Sequence, residues 1–206
     1  SIDSSGEHLH RRGYRLASAR APLRETLAAA MLLSSGWDGV SPLLDPFCGS
    51  GTLPIEAALL AAGVAPGRNR RFAFMDWPTM DLALWESLLS ARHAPGLPDA
   101  HLERDAARSA PVICGSDRDA GAIAMAQDNA RRAGVAPSIQ LICQAISAIQ
   151  PPSQTGWVVT NPPYGLRVSG NADLRNLYAQ AGKVLRQKCP GWRYAILCND
   201  ERLFTA

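Results

Sequence analysis

Leu43-Leu44-Asp45-Pro46-Phe47-Cys48-Gly49-Ser50-Gly51-Thr52 runs from a short apolar, strand-like stretch into a glycine-bearing loop. Leu53-Pro54-Ile55-Glu56-Ala57-Ala58-Leu59-Leu60-Ala61-Ala62 continues it as a helix. Thr52 is placed to cap that helix, Pro54 is tolerated in its first turn, and Gly63 suits its C-terminal turn. A strand, a tight loop and a helix N-terminus in that order cradle an anionic group. Gly49 and Gly51 let the backbone approach a ligand closely, and the helix start carries partial positive charge. No Lys follows the glycines, which argues against a Walker loop, and the GxGxxG spacing of dinucleotide sites is absent.

Outward from this loop the same alternation repeats. Residues 112–117 read as a second strand, and Asp119 is placed to cap a helix over 120–133 that Gly134 ends. Residues 139–143 and 157–160 read as the third and fourth strands, 173–185 as a helix and 193–198 as a fifth strand. Strand and helix alternating predict an α/β, Rossmann-like fold: a mostly parallel twisted sheet with helices on both faces. Residues 1–35 form an N-terminal loop and helix packing on the core, with Leu23, Leu27, Ala30 and Met31 as its apolar face. Residues 36–206 form the main domain. An Arg- and Pro-rich insertion at about 65–111 interrupts it and carries an amphipathic helix over 80–92, with Leu82, Leu84, Trp85, Leu88 and Leu89.

Downstream lies Asn161-Pro162-Pro163-Tyr164. Two prolines fix φ and hold the preceding residue extended, so this loop is preorganised. With the upstream loop it implies methyl transfer from S-adenosylmethionine, leaving S-adenosylhomocysteine, to a planar exocyclic NH2 group. Such an amine is a poor nucleophile because its lone pair is delocalised. The Asn161 side-chain oxygen and the Pro162 carbonyl can draw its hydrogens aside, and Tyr164 offers a ring for a base to stack on. The candidate catalytic residues are therefore Asn161, Pro162, Pro163 and Tyr164. The candidate cofactor residues are Asp45, Pro46, Cys48, Gly49, Ser50, Gly51, Thr52, Asp117, Gln144 and Asn161. Asp117 closes the second strand, where an acid can accept bonds from both ribose hydroxyls. Gln144 stands where an acceptor would meet the adenine amine.

The net charge of +3 is mild, but arginine supplies nearly all of the positive charge, since Lys183 and Lys188 are the only lysines. Arg11, Arg12 and Arg15 crowd the start, Arg68, Arg70 and Arg71 form a second group, and Arg167 follows the Tyr164 loop. The planar guanidinium fork suits phosphate and base contact, and Arg11, Arg12, Arg15 and Arg167 are the candidate RNA contacts. The five cysteines form no CxxC pair, so no metal site is expected. Cys48, Cys114, Cys143 and Cys198 lie in apolar runs and read as reduced core residues of a cytoplasmic protein. No run is long enough to span a bilayer, and no signal peptide is recognisable. The start without Met and the end at Thr205-Ala206 read as a fragment of a longer chain.

Leu9-His10-Arg11-Arg12-Gly13-Tyr14-Arg15 and Ala21-Pro22-Leu23-Arg24-Glu25-Thr26-Leu27-Ala28-Ala29 resemble the opening of the THUMP-associated RNA (guanine-N2)-methyltransferases. Asp45 to Thr52, Ile55-Glu56-Ala57, Phe72-Ala73-Phe74, Trp77-Pro78, Ser116-Asp117-Arg118-Asp119, Asn129-Ala130, Ala133-Gly134 and Asn161-Pro162-Pro163-Tyr164-Gly165 follow in the family's order. The insertion with Trp77 and Trp85 is similar to the bacterial branch acting on large-subunit ribosomal RNA, the RlmL type. This resemblance implies a Rossmann-like methyltransferase fold with S-adenosylmethionine held by residues 45–52 and Asp117, and a guanine amine held at 161–164. It also implies an RNA-gripping THUMP domain upstream, and a last strand hairpin that is expected to fall outside this fragment. Gln144 departs from the family's commoner Asp. DNA or RNA adenine-N6 methyltransferases share the Asn-Pro-Pro-Tyr chemistry, and protein glutamine methyltransferases share both motifs. A non-catalytic RNA-binding module retaining the fold is a further alternative.

Overall fold

In the computed structural model, residues 2–15, 23–90, 110–163 and 171–198 are described. Five parallel strands form the sheet: β1 (Leu43–Asp45), β2 (Ile113–Asp117), β3 (Ile139–Cys143), β4 (Trp157–Thr160) and β5 (Arg193–Ile196), in the order β3-β2-β1-β4-β5. The helices are α1 (Glu25–Ser35), α2 (Thr52–Ala61), α3 (Leu82–Ser90), α4 (Ala120–Arg132) and α5 (Asn171–Lys188). Alternating strand side chains feed two cores. Leu43, Ile113, Trp157 and Val159 pack with Ala28 and Leu32 of α1, Ile55 and Ala57 of α2, and Ala130 of α4. Leu44, Cys114 and Val158 pack with Ala181, Val184 and Leu185 of α5. Both faces of the sheet are covered, which is why β1 and β4 are buried throughout rather than alternating.

The chain leaves β1 toward β2 on one side, while β4 adds on the other. The crevice at the carboxyl ends of β1 and β4 is thus the topological switch point, where open α/β sheets bind ligands. The 45–52 loop leaves β1 there and the 161–163 segment leaves β4 beside it.

Several local signals act as expected. Asp119 caps α4 through bonds from the Gly121 and Ala122 N–H groups at 2.7 and 3.2 Å. Past α2, Gly63 adopts φ 66 and Val64 N–H bonds the Leu59 carbonyl, closing a Schellman turn. Others need correcting. Thr52 does not cap α2: Gly51 occupies that position at φ 84, and no side chain caps the helix. The buried face of α1 is Glu25, Ala28, Ala29 and Leu32, while Leu27 is 43% exposed. Of the expected face, Leu23 and Met31 do pack, half-buried, against the core, and Glu25 is turned inward to Arg15 (3.9 Å). On α3, only Trp85 finds aromatic neighbours, edge-on to Phe72 and Phe74, and Leu82, Leu84 and Leu88 stay exposed. Cys143 is exposed because β3 is the edge strand, whereas Cys189 is fully buried.

Candidate active site

Asp45, the last residue of β1, is buried, and its Oδ1 accepts bonds from Thr160 Oγ1 at 2.6 Å and Phe47 N–H at 3.1 Å. Thr160 is the last residue of β4, so this bond ties the start of the glycine loop to the strand that delivers Asn161. Burial raises the Asp45 carboxyl to a pKa of about 7, against the opposing bonds from Thr160 and Phe47 and with a further push from the Asp117 charge. Burial, and then the charges of Asp45 and Asp117, also push the Cys48 thiol up. That thiol is therefore neutral at physiological pH and unsuited to be a covalent nucleophile.

The loop then folds back on itself. Gly51 N–H bonds the Cys48 carbonyl at 2.8 Å, and Cys48 N–H bonds the Ser116 carbonyl of β2. Gly51 can only be glycine. Its φ of 84 is left-handed, and a Cβ would sit 2.9 Å from Ala126 Cβ. Gly49 N–H donates to Asp117 Oδ2 at 3.0 Å, while Asp117 Oδ1 takes the Asp119 N–H at 3.0 Å. Each Asp117 oxygen keeps acceptor capacity for a further partner. Gln144 lies next to it, donating its backbone N–H to the Asp117 carbonyl at 2.9 Å.

On the β4 side, Pro162 is buried and Asn161 is half-buried. Asn161 Oδ1 is buried without a hydrogen-bond partner. A buried acceptor left open costs about 1–3 kcal/mol. Pro163 is held from below, its carbonyl accepting a bond from Tyr178 Oη of α5 at 3.3 Å. The structure thus gathers Asp45, Pro46, Cys48, Gly49, Ser50, Gly51, Thr52, Asp117, Gln144, Asn161, Pro162 and Pro163 around the carboxyl ends of β1, β2, β3 and β4. Tyr164 and Arg167 lie outside the described residues.

Two of the three N-terminal arginines are turned inward, against the expectation that they contact RNA. Arg12 is buried, its Nε 2.9 Å from Glu56 Oε2. Arg15 is turned inward to the Leu23 carbonyl, Thr52 Oγ1 and Glu25. Arg11 alone of the three is exposed, in an ion pair with Glu7 at 3.3 Å. Burial raises the Glu56 carboxyl to about 7 although Arg12 and Tyr14 oppose the rise. Sequence reading missed Asn129 of α4 as part of the site: its Nδ2 holds the Ser50 carbonyl at 3.0 Å. The Asn129-Ala130 pair, which enters only as part of the resemblance, was the signal available.

A doubly wound parallel sheet with a glycine loop after β1, an acid closing β2 and an open acceptor after β4 defines the class of S-adenosylmethionine-dependent methyltransferases. The chain belongs to the family of the RMKL-like methyltransferase domain, whose model matches residues 12–206. It is 41% identical over its whole length to the ribosomal RNA large subunit methyltransferase K/L of Shewanella baltica, and spans 28% of that protein's length. Among solved structures, SMU.472 in complex with SAH superposes with a TM-score of 0.83 at 34% identity, over 99% of this chain and 52% of that one. A Listeria monocytogenes protein, named as a predicted N6-adenine-specific DNA methylase, superposes at 0.81 with 38% identity, over 98% of this chain and 50% of that one.

Proposed function

We propose that this domain transfers a methyl group from S-adenosylmethionine to the exocyclic N2 of a guanine in large-subunit ribosomal RNA. The observation that carries the reading is Asn161 Oδ1, a buried acceptor with no partner, next to the glycine loop. The residues present fit the cofactor. The uncapped start of α2 offers N–H groups to a carboxylate, and Asp117 has acceptor capacity for ribose hydroxyls. The bound cofactor supplies an electrophilic methyl group. The chain supplies position: Asn161 and the Pro162 carbonyl orient the amine, with Pro163 fixed on Tyr178. No strong base is required, because the amine becomes acidic only as the new bond forms and water can take the proton.

The ribosomal assignment leans on the whole-length likeness to the K/L methyltransferases. It would make the protein cytoplasmic, and among the described residues no helix is long and apolar enough to cross a membrane. Because the chain spans 28% of those relatives, RNA grip is expected to reside largely in an additional domain of THUMP type. The name of the Listeria neighbour favours a second reading, adenine N6.

One experiment separates them. The chain is expected to bind S-adenosylhomocysteine in calorimetry and to methylate naked ribosomal RNA poorly at physiological salt, since phosphate contacts alone bind weakly. Digestion of the methylated RNA and mass spectrometry should show N2-methylguanosine. N6-methyladenosine would move the assignment to the second reading, and binding with no transfer to any RNA would favour a non-catalytic module. Asp117→Ala is expected to weaken S-adenosylhomocysteine binding by one to two powers of ten. A lost charge-assisted hydrogen-bond pair costs about 1.5–3 kcal/mol. Unchanged affinity in the same titration would reduce Asp117 to a turn residue.

A further inference from the structure

Residues 14 and 15 lie far from the glycine loop in sequence, yet they reach it by two separate routes. The Tyr14 carbonyl accepts a bond from Arg132 Nε at 2.8 Å. The same guanidinium donates from its terminal nitrogen to Asn129 Oδ1 at 2.7 Å, and Asn129 Nδ2 donates to the Ser50 carbonyl at 3.0 Å. By the second route Arg15 donates to Thr52 Oγ1 in the first turn of α2. Donor and acceptor roles are forced throughout. A guanidinium only donates, so Asn129 must turn its oxygen to Arg132 and its amide to Ser50. Asn129 is completely buried and cannot exchange either partner for water.

The far end is anchored too. The Tyr14 ring is 2% exposed, and its hydroxyl donates to Glu56 Oε1 at 3.0 Å beside the Arg12–Glu56 pair. Residues 12–15 are thus a fixed reference, and the Arg132 fork transfers that reference through Asn129 to the loop. A lysine could not do this, because a point charge lacks two donors at a set angle.

We propose that Asn129 and Arg132 are positioning residues: they make the direction of the glycine loop's N–H groups depend on the docking of residues 12–15. The proposal rests on reading residues 45–52 as the cofactor loop, and neither residue is assigned to the reacting atoms. Whatever displaces the 12–15 segment would then be felt at the cofactor site.

The test uses Arg132→Met, since Arg132 lies on the exposed side of α4, with a melting curve beside it because the change also leaves Asn129 Oδ1 without its donor. Asn129→Ala strands a buried carbonyl, and its own instability disqualifies it as the sole probe. Arg132→Met is expected to weaken S-adenosylhomocysteine binding about tenfold, as loss of a supporting outer-layer group does elsewhere. In the cofactor-free chain, amide hydrogen exchange should quicken at residues 49–53 while β1 and β4 keep their protection. Arg132→Lys should recover only part of the affinity. Affinity and loop exchange both matching the wild type would overturn the proposal. So would exchange quickened evenly across the sheet with a lower melting temperature, the mark of a purely structural role. Loop-specific exchange in a chain that binds no S-adenosylhomocysteine would sink the cofactor reading and still support the relay.

Discussion

Asn161→Ala in the full-length enzyme is expected to abolish turnover, lowering kcat by about a hundredfold or more, the scale of a lost oxyanion-hole donor. Cofactor affinity should stay nearly intact. Asn161 Oδ1 is an open acceptor in the folded chain. Its partner is to be the target amine, whose N–H bonds become stronger donors as the nitrogen gains positive charge. The interaction is therefore strongest in the transition state and appears in kcat rather than KM. The same fact predicts the stability of the variant. Removing an acceptor that bonds nothing in the folded chain takes away a cost, so the melting temperature should not fall. Single-turnover rates beside a melting curve check both halves. If Asn161 instead ties the loop together, stability and cofactor binding will drop in step. A fully active variant would remove Asn161 from the site.

The strands, the helices and the glycine loop were legible because they depend on local pattern. Strand-like runs at 43–45, 112–117 and 157–160, with Asp119, Gly63 and Gly134 at helix ends, need no distant partner to be recognised. The errors share one physical cause: polar groups whose role is decided by residues far away in sequence. The expected face of α1 leaves out Glu25, which is buried because Arg15 pairs with it. Arg12 and Arg15 read as phosphate ligands because Glu56, Glu25 and Thr52 are not near them in sequence. Thr52 read as a cap because nothing local shows Arg15 taking its hydroxyl. Cys143 read as core because edge position is a property of the sheet order, not of the strand. Asn129 belongs to the family pattern, but its partner Ser50 stands 79 residues away.

Asp45 should make the folded chain lose stability as pH rises, the reverse of ordinary acid denaturation. In the unfolded chain its carboxyl ionises near about 3.9; in the fold, burial holds it at about 7. Between those values the folded state binds more protons than the unfolded state, so the unfolding free energy falls with pH. The contribution is fully present below the unfolded value and gone above the folded one. Each pH unit between the two values is worth about 1.4 kcal/mol, which sets a ceiling of roughly 4 kcal/mol. Glu56, also raised to about 7 by burial, adds in the same direction. Asp38 acts oppositely: burial raises it, but bonds from Ser41 and Val40 outweigh that and hold it low, so its window lies below the ordinary carboxyl value. Asp45→Asn keeps an acceptor for the Thr160 hydroxyl and the Phe47 N–H, removes the titration, and puts an NH2 donor in place of the second oxygen. Urea unfolding of wild type and Asp45→Asn between about pH 5 and about pH 8 should therefore show a falling line for the wild type and a shallower one for the variant. The variant's relative stability should grow toward the alkaline end. A wild type that gains stability over this range would mean that Asp45 is ionised in the fold. Its bonds from Thr160 and Phe47 would then outweigh burial, and the tie between the two loops would be a charged one.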